Sequence, residues 1–245
     1  MSIATDLVIV GGGLAGSLTA LIFKKTNPDS KVTLVEKNKV LGGTRTWSFF
    51  ESDVSPQALE ILKPMITKSW TETTVQFPRL ERTLEGAYHV IRSEDFNRYI
   101  TDELGHAIRF ETVAEKLTDT TVITEKGKNL EGSCILDARG LEDLPSSQTN
   151  GYQKYIGFDF QLDPSTPHGL TTPILIDSTC PQLEGFRFFR LLPLSESKIF
   201  VAETYYSDTP DLNEERISKS VKSYVERRGW KVTKIERIEK SVLPM

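Results

Sequence analysis

The sequence predicts an α/β protein in which a nucleotide-binding domain on a doubly wound sheet precedes a β-rich domain. Three observations predict it. Leu7 to Val10 run apolar into Gly11-x-Gly13-x-x-Gly16. A helical pattern follows, with Leu14, Leu18, Leu21 and Ile22 on one face, and a second apolar run, Val32 to Val35, ends in Glu36. Beyond Gly140 the chain turns to repeated apolar runs of strand length.

Strand, glycine turn, helix, strand and terminal acid together make a dinucleotide-binding βαβ unit. Gly11 allows a tight turn that a Cβ would block, Gly13 lets the backbone approach a pyrophosphate, and Gly16 lets the helix pack close to the strand. The helix N-terminus offers N–H groups and a positive dipole end to phosphates. Glu36 lies about 20 residues past the last glycine, where an acid hydrogen-bonds ribose hydroxyls. An acid there disfavours a 2′-phosphate, so FAD or NAD is expected rather than NADP.

The rest of the first domain follows in order. Gly42-Gly43 and the residues after it suit a loop lying over a flavin nucleotide. Arg45 behind that pair and Arg92 before the next helix are candidates for pyrophosphate contact, by charge and forked geometry. Residues 51–87 carry Pro56, Pro64 and Pro78 and read as an irregular excursion with short elements. Ser93 is the expected N-cap of a helix whose buried face is Phe96, Tyr99, Ile100 and Leu104. From Ala107 to Ile135 short strands alternate with turns at Asp119, Gly127 and Gly132. The strand that ends in Asp137, Arg139 and Gly140 is expected beside the first strand, with Gly140 near the nucleotide.

Polar residues 141–150 mark a boundary, giving a first domain over 1–145 (51–87 being its excursion) and a second over 146–245. The second shows strand-like runs at Tyr155–Leu162, Pro173–Ile176, Phe186–Leu192 and Ile199–Tyr206. Asp211 to Gly229 reads as an amphipathic helix burying Ile217, Val221, Tyr224 and Val225, with Gly229 as its stop. Val232 to Met245 is extended.

Bulk properties narrow the function. A net charge of −4, with acids and bases interspersed, gives no basic patch for nucleic acid. No apolar run reaches membrane-span length. The N-terminus leads straight into a strand, so no signal peptide is expected and a cytoplasmic location is the default. Two cysteines and three scattered histidines fit no metal spacing.

Further motifs carry a family resemblance. The chain resembles the bacterial-type lycopene β-cyclases through Asp6–Gly16, Gly42-Gly-Thr-Arg-Thr-Trp-Ser-Phe49 and Leu136-Asp-Ala-Arg-Gly140. The likeness continues in Gly151-Tyr-Gln-Lys-Tyr-Ile-Gly157, Pro173-Ile-Leu-Ile-Asp-Ser178, Gly185-Phe-Arg-Phe188 with Leu192-Pro193, and Glu203-Thr-Tyr-Tyr-Ser-Asp208. The resemblance implies a glutathione-reductase-like FAD-binding fold and a β-rich substrate domain. It implies FAD, active when reduced, with NAD(P)H as reductant and no net redox change. The substrate is then lycopene or a related acyclic carotenoid, met through peripheral membrane contact. The family's acidic motif shows two acids before threonine, whereas this chain has Ala202-Glu203-Thr204. Family members also run on past the Leu243-Pro244 region with a segment that helps close the flavin site, so a truncated chain is expected.

Such a cyclisation protonates an alkene and needs an acid that keeps its proton in apolar surroundings. On a strand, Ile199, Val201, Glu203 and Tyr205 share a face, so Glu203 is expected to be desolvated and to serve as general acid. Asp177, ending the run Pro173–Ile176, is the second candidate. Phe188, Phe189, Tyr205 and Tyr206 could stabilise a cation through their ring faces. A flavin monooxygenase, which shares the glycine motif, and an inactive nucleotide-binding fragment stay open as alternatives.

Overall fold

A computed structural model describes residues 5–140, 151–183 and 185–245. It divides into two compact units. The first holds the described part of Met1–Trp47, Glu60–Thr67 and Ile91–Pro145, and the second that of Ser48–Leu59, Lys68–Val90 and Ser146–Met245. The expected boundary loop, 141–150, lies outside the described residues.

The opening follows the sequence pattern: β1 (Thr5–Val10), α1 (Leu14–Thr26) and β2 (Val32–Val35). β3 (Thr46–Phe50), α2 (Pro56–Leu62), β4 (Ile66–Phe77), β5 (Leu80–Arg92) and α3 (Ser93–Leu104) follow. Then come β6 (Ile108–Arg109), β7 (Ala114–Leu117), β8 (Thr121–Thr124) and β9 (Leu130–Asp137). The first sheet runs β6-β2-β1-β9-β8-β7. β1 lies parallel between β2 and β9, and β9, β8 and β7 form an antiparallel meander. The returning strand therefore does lie beside the first.

Three local expectations are corrected. The buried stripe of α1 is Gly16, Ser17, Ala20 and Leu21, while Ile22 is exposed. Small residues face the sheet because the helix sits close to it. A Cβ on Gly16 would collide with the Gly11 carbonyl oxygen. Gly132 marks no turn but lies inside β9, where a Cβ would come 2.8 Å from Val8 Cγ2. Arg92, in extended conformation, holds the N-cap position of α3, one residue before the expected Ser93.

The largest correction concerns 51–87. This stretch is not irregular, because it supplies most of β4 and β5, strands of 12 and 13 residues. Its prolines punctuate the strands instead of breaking them. Pro56 opens α2, where its missing N–H costs nothing. Pro64 lies in the 3₁₀ turn before β4, and Pro78 in the turn between β4 and β5.

The second unit adds β10 (Tyr152–Leu162), β11 (Ile174–Asp177), β12 (Arg187–Ser195), β13 (Lys198–Ser207), α4 (Glu214–Arg227) and β14 (Val232–Pro244). Its sheet runs β14-β10-β13-β12-β11-β4-β5-β3. β14, β10, β13, β12 and β11 are antiparallel in turn, and β11 meets β4 in parallel. Asn213 caps α4 by accepting from the Arg216 N–H at 3.0 Å, and Gly229 ends it at φ 75°. Ile217, Val221, Tyr224 and Val225 pack onto Ile156, Phe158, Phe189, Val201 and Tyr205 of the sheet. The opposite face carries a separate cluster of Trp70, Tyr88, Val90, Leu192, Phe200 and Ala202.

Candidate functional site

The glycine turn of the first unit opens a cleft of about 410 Å³, within the usual size of ligand pockets, about 300–1,000 Å³. Gly11, Gly12, Gly13, Glu36, Asn38, Gly42, Gly43, Arg45, Thr112, Ala138 and Arg139 are among its lining. Each motif glycine has its own reason. Gly11 stands at φ 114°, and a Cβ there would lie 2.6 Å from the Ala138 carbonyl oxygen. Gly13 has nothing within 4 Å of a built Cβ, so its side is open space at the start of α1. Gly43, at φ 60°, is likewise open. Bare backbone at a helix N-terminus, facing open volume, is what a diphosphate requires.

Glu36 lies at the end of β2 and is buried. Its Oε2 accepts from the Gly12 N–H at 2.8 Å. Its Oε1 accepts from the Asn38 N–H at 2.8 Å and from Asn38 Nδ2 at 2.7 Å. Asn38 is a site residue that the sequence reading missed. Of about four lone-pair sites, the carboxylate keeps one for a ribose. Arg45 lines the cleft, and its carbonyl accepts from the Ser93 N–H at 2.9 Å. Arg92 and Gly140 are absent from the cleft's lining among the described residues. Arg92 Nε stands 3.5 Å from Glu94, and Gly140 has φ 87° with open space about it. Of the expected nucleotide set, Gly11, Gly13, Glu36, Gly43 and Arg45 line one cleft. Gly16 supports it by close packing.

The two candidate acids sit elsewhere, in the second unit, beneath α4. Glu203 does share its face with Ile199, Val201 and Tyr205, and it is 0% exposed. Its carboxylate is nevertheless not alone there, which corrects the expected apolar setting. Arg187 grips it as a fork, Nε to Oε1 at 2.8 Å and Nη2 to Oε2 at 3.0 Å. Arg216 adds Nη1 to Oε1 at 3.3 Å. Arg187 also donates to Ser220 Oγ on α4. Its oxygens are thus engaged by two donating guanidiniums, an ion-pair setting rather than an apolar one. Arg187 stands across the ladder at Tyr205, two residues along from Glu203, so only tertiary pairing reveals it.

Asp177 has a similar setting. It accepts from Tyr224 Oη at 2.5 Å, Arg228 Nη2 at 2.9 Å, and Thr179 N and Oγ1 at 3.0 and 2.6 Å. Burial pushes its carboxyl up, but the bonds from Thr179 and Tyr224 and the charge of Arg228 outweigh that and hold it below the usual range. Burial, then the bond to Asp177, pushes the Tyr224 phenol well above its ordinary value. Both acids thus fasten α4 to the sheet. Of the four aromatics singled out in the sequence, Phe189 stacks on Tyr224 at 4.0 Å and Tyr205 belongs to the same core. Phe188 and Tyr206 group with Phe186.

The family model described as lycopene cyclase protein matches residues 6–245. Lycopene beta-cyclase of Pseudescherichia vulneris is 35% identical over 240 residues, 98% of this chain and 61% of its own length. That of Pantoea ananas is 31% identical over 240 residues, 98% of this chain and 62% of its own. The chain therefore spans about three-fifths of the length of these curated relatives. Among solved structures, p-nitrophenol 4-monooxygenase PnpA of Pseudomonas putida superposes with a TM-score of 0.67 at 14% identity, covering 98% of this chain and 69% of that one. A geranylgeranyl bacteriochlorophyll reductase-like protein of Thermoplasma acidophilum gives 0.67 at 12% identity, covering 98% and 66%. These likenesses establish the fold. No helix among the described residues is long and apolar enough to cross a membrane.

Proposed function

The chain belongs to the lycopene cyclase family, and from that premise we propose that it acts as a flavin-dependent lycopene β-cyclase. The reaction closes the ψ ends of lycopene, or of a related acyclic carotenoid, into β-ionone rings without net redox change. The observation that carries this reading is the family match across residues 6–245, joined to a cleft built for a dinucleotide.

FAD fits that cleft on its own geometry: the open side of Gly13 for the diphosphate, Glu36 for a ribose and Arg45 for phosphate charge. Arg92 and Gly140 are proposed as outlying contacts of the same nucleotide. When bound and reduced, the flavin supplies an electron-rich ring that favours a nearby cation, and NAD(P)H is the proposed reductant. The second unit's part is to hold the polyene end in apolar surroundings, exclude water and move one proton. Protonation of the terminal alkene gives a tertiary cation, an internal double bond closes on it, and loss of a ring proton ends the step. A C40 polyene resides in membrane, so peripheral contact from the cytoplasmic side completes the proposal.

The test is expression of this chain in a lycopene-accumulating bacterium, with carotenoids separated by chromatography. β-ring products and a flavin absorption band in the purified protein are the expected result. Unchanged lycopene, or NAD(P)H oxidation that rises in proportion to added substrate, would overturn the reading.

A further inference from the structure

The acid that faces the ribose is already engaged by three donors, and what it has left sets a specificity. We infer that Asn38 positions Glu36 so that it reads one ribose hydroxyl of an adenine nucleotide and not two, a role that rests on the FAD reading of the cleft above.

The backbone fixes Asn38 first. β2 ends at Val35, and the chain beyond it is pinned to β6 and the segment after it. The Glu36 N–H donates to the Arg109 carbonyl at 2.9 Å, and the Thr112 N–H donates to the Glu36 carbonyl at 3.0 Å. The Glu111 N–H donates to the Asn38 carbonyl at 3.2 Å. Glu111 stands at φ 51°, the one positive value outside glycine among the described residues. That backbone state is costly and persists where the surroundings demand it. Asn38 is thereby held beside Glu36.

The side chain then divides the carboxylate. Oε1 of Glu36 takes both Asn38 donors, the N–H at 2.8 Å and Nδ2 at 2.7 Å. An amide oxygen in that place would face another acceptor, so the nitrogen is the end turned to Glu36. Oε2 takes the Gly12 N–H at 2.8 Å. Gly12 is held in turn, because its carbonyl accepts from the Gly42 N–H at 2.9 Å. A Cβ on Gly12 would lie 2.5 Å from Leu41 Cδ2 and 2.8 Å from Glu36 Oε2. A carboxylate offers about four lone-pair sites. With Oε1 filled and Oε2 half filled, the acceptor left is on Oε2, beside the Gly12 backbone that lines the cleft. One ribose hydroxyl can donate there. The other is left to water or a neutral acceptor, a weaker bond than one to a charged group.

The test is calorimetric titration of the full chain with ADP, 2′-deoxy-ADP and 3′-deoxy-ADP. It compares wild type with Asn38→Ala and, as control, Lys39→Ala, whose exposed side chain lies outside the cleft's lining. In wild type one deoxy nucleotide should bind at least about tenfold more weakly than ADP, and the other within about threefold of it. Asn38→Ala frees a lone pair on Oε1 and lets the carboxylate turn, so the two deoxy nucleotides should come within about threefold of each other. Lys39→Ala should keep the wild-type pattern. The ratio of the two deoxy affinities is the readout, because lost packing alone would weaken all three nucleotides together. Melting temperature shows whether each variant folds, and if Asn38→Ala does not, the wild-type ratio decides alone. Matched affinities for the two deoxy nucleotides in wild type, or an unchanged ratio in Asn38→Ala, would overturn the role of Asn38 while ADP binding upholds the cleft. A wild type that binds neither ADP nor FAD would overturn the nucleotide reading itself, and the role of Asn38 with it.

Discussion

Replacing Glu203 by glutamine separates a structural carboxylate from a catalytic one. In the native chain one carboxylate, wholly buried, meets a fork from Arg187 and a third bond from Arg216. Glutamine keeps the volume but removes the charge, leaving the Arg187 guanidinium, 6% exposed, without an anion. Breaking a buried pair from one side costs about 3–5 kcal/mol. At about 2–4 °C per kcal/mol for a protein of this size, melting should fall by roughly 6–20 °C. Removing the charges together should behave differently. Glu203→Leu with Arg187→Met replaces the pair by apolar groups of similar bulk, which is often neutral or stabilising. Arg216, with its side chain 26% exposed, can turn its charge to water. The double variant should therefore recover most of the lost melting temperature, as followed by circular dichroism. If Glu203→Gln melts within a degree or so of wild type yet forms no rings, the ion-pair argument is refuted and Glu203 acts on the substrate.

Other expectations follow from the same coordinates. Gly13→Val should fold but lose flavin, because its side chain enters open space where the diphosphate would pass; absorbance of the purified protein checks this. Gly16→Ala should instead impair folding, since its Cβ meets the Gly11 carbonyl oxygen, and low soluble yield with a depressed melting point would show it. Asp177 has a folded pKa below its unfolded value near 3.8, so its contribution is complete above that pH and fades as pH falls through the folded value. The melting gap between wild type and Asp177→Asn should be widest at neutral pH and narrow below about pH 4; a gap independent of pH would contradict the assigned shift.

Local periodicity made much of the fold legible. Val8 to Val10, the glycine spacing and Val32 to Glu36 determine a unit whose contacts are near in sequence, and Ile217, Val221, Tyr224 and Val225 bury as their spacing requires. Prolines misled, because Pro64 and Pro78 look alike whether they interrupt an element or bound one. The nucleotide cleft was readable where one residue type has one physical use, as at Gly11 with φ 114°. Arg92 stands outside the cleft's lining, its Nε 3.5 Å from Glu94, since a cation before a helix also serves a neighbouring acid. Glu203 shows the limit most clearly. Strand alternation does predict that it points with Ile199 and Val201 into the core. No local rule could reveal Arg187, because that pairing depends on which strand lies alongside.

The period of two in a strand also explains why adjacent residues of one motif serve different ends. Ala202 and Glu203 are neighbours in sequence yet belong to opposite faces, one with Trp70 and Tyr88, the other under α4. A carboxyl at one of these positions cannot replace a carboxyl at the other without a shift of register, which would reverse every side chain on the strand. Glu239 shares the cross-strand row of Ala202 through Gly157 and is itself ion-paired, with Arg237 Nη2 3.5 Å from its Oε2. Gly157 between them leaves room for the Phe200 ring, which a Cβ there would meet.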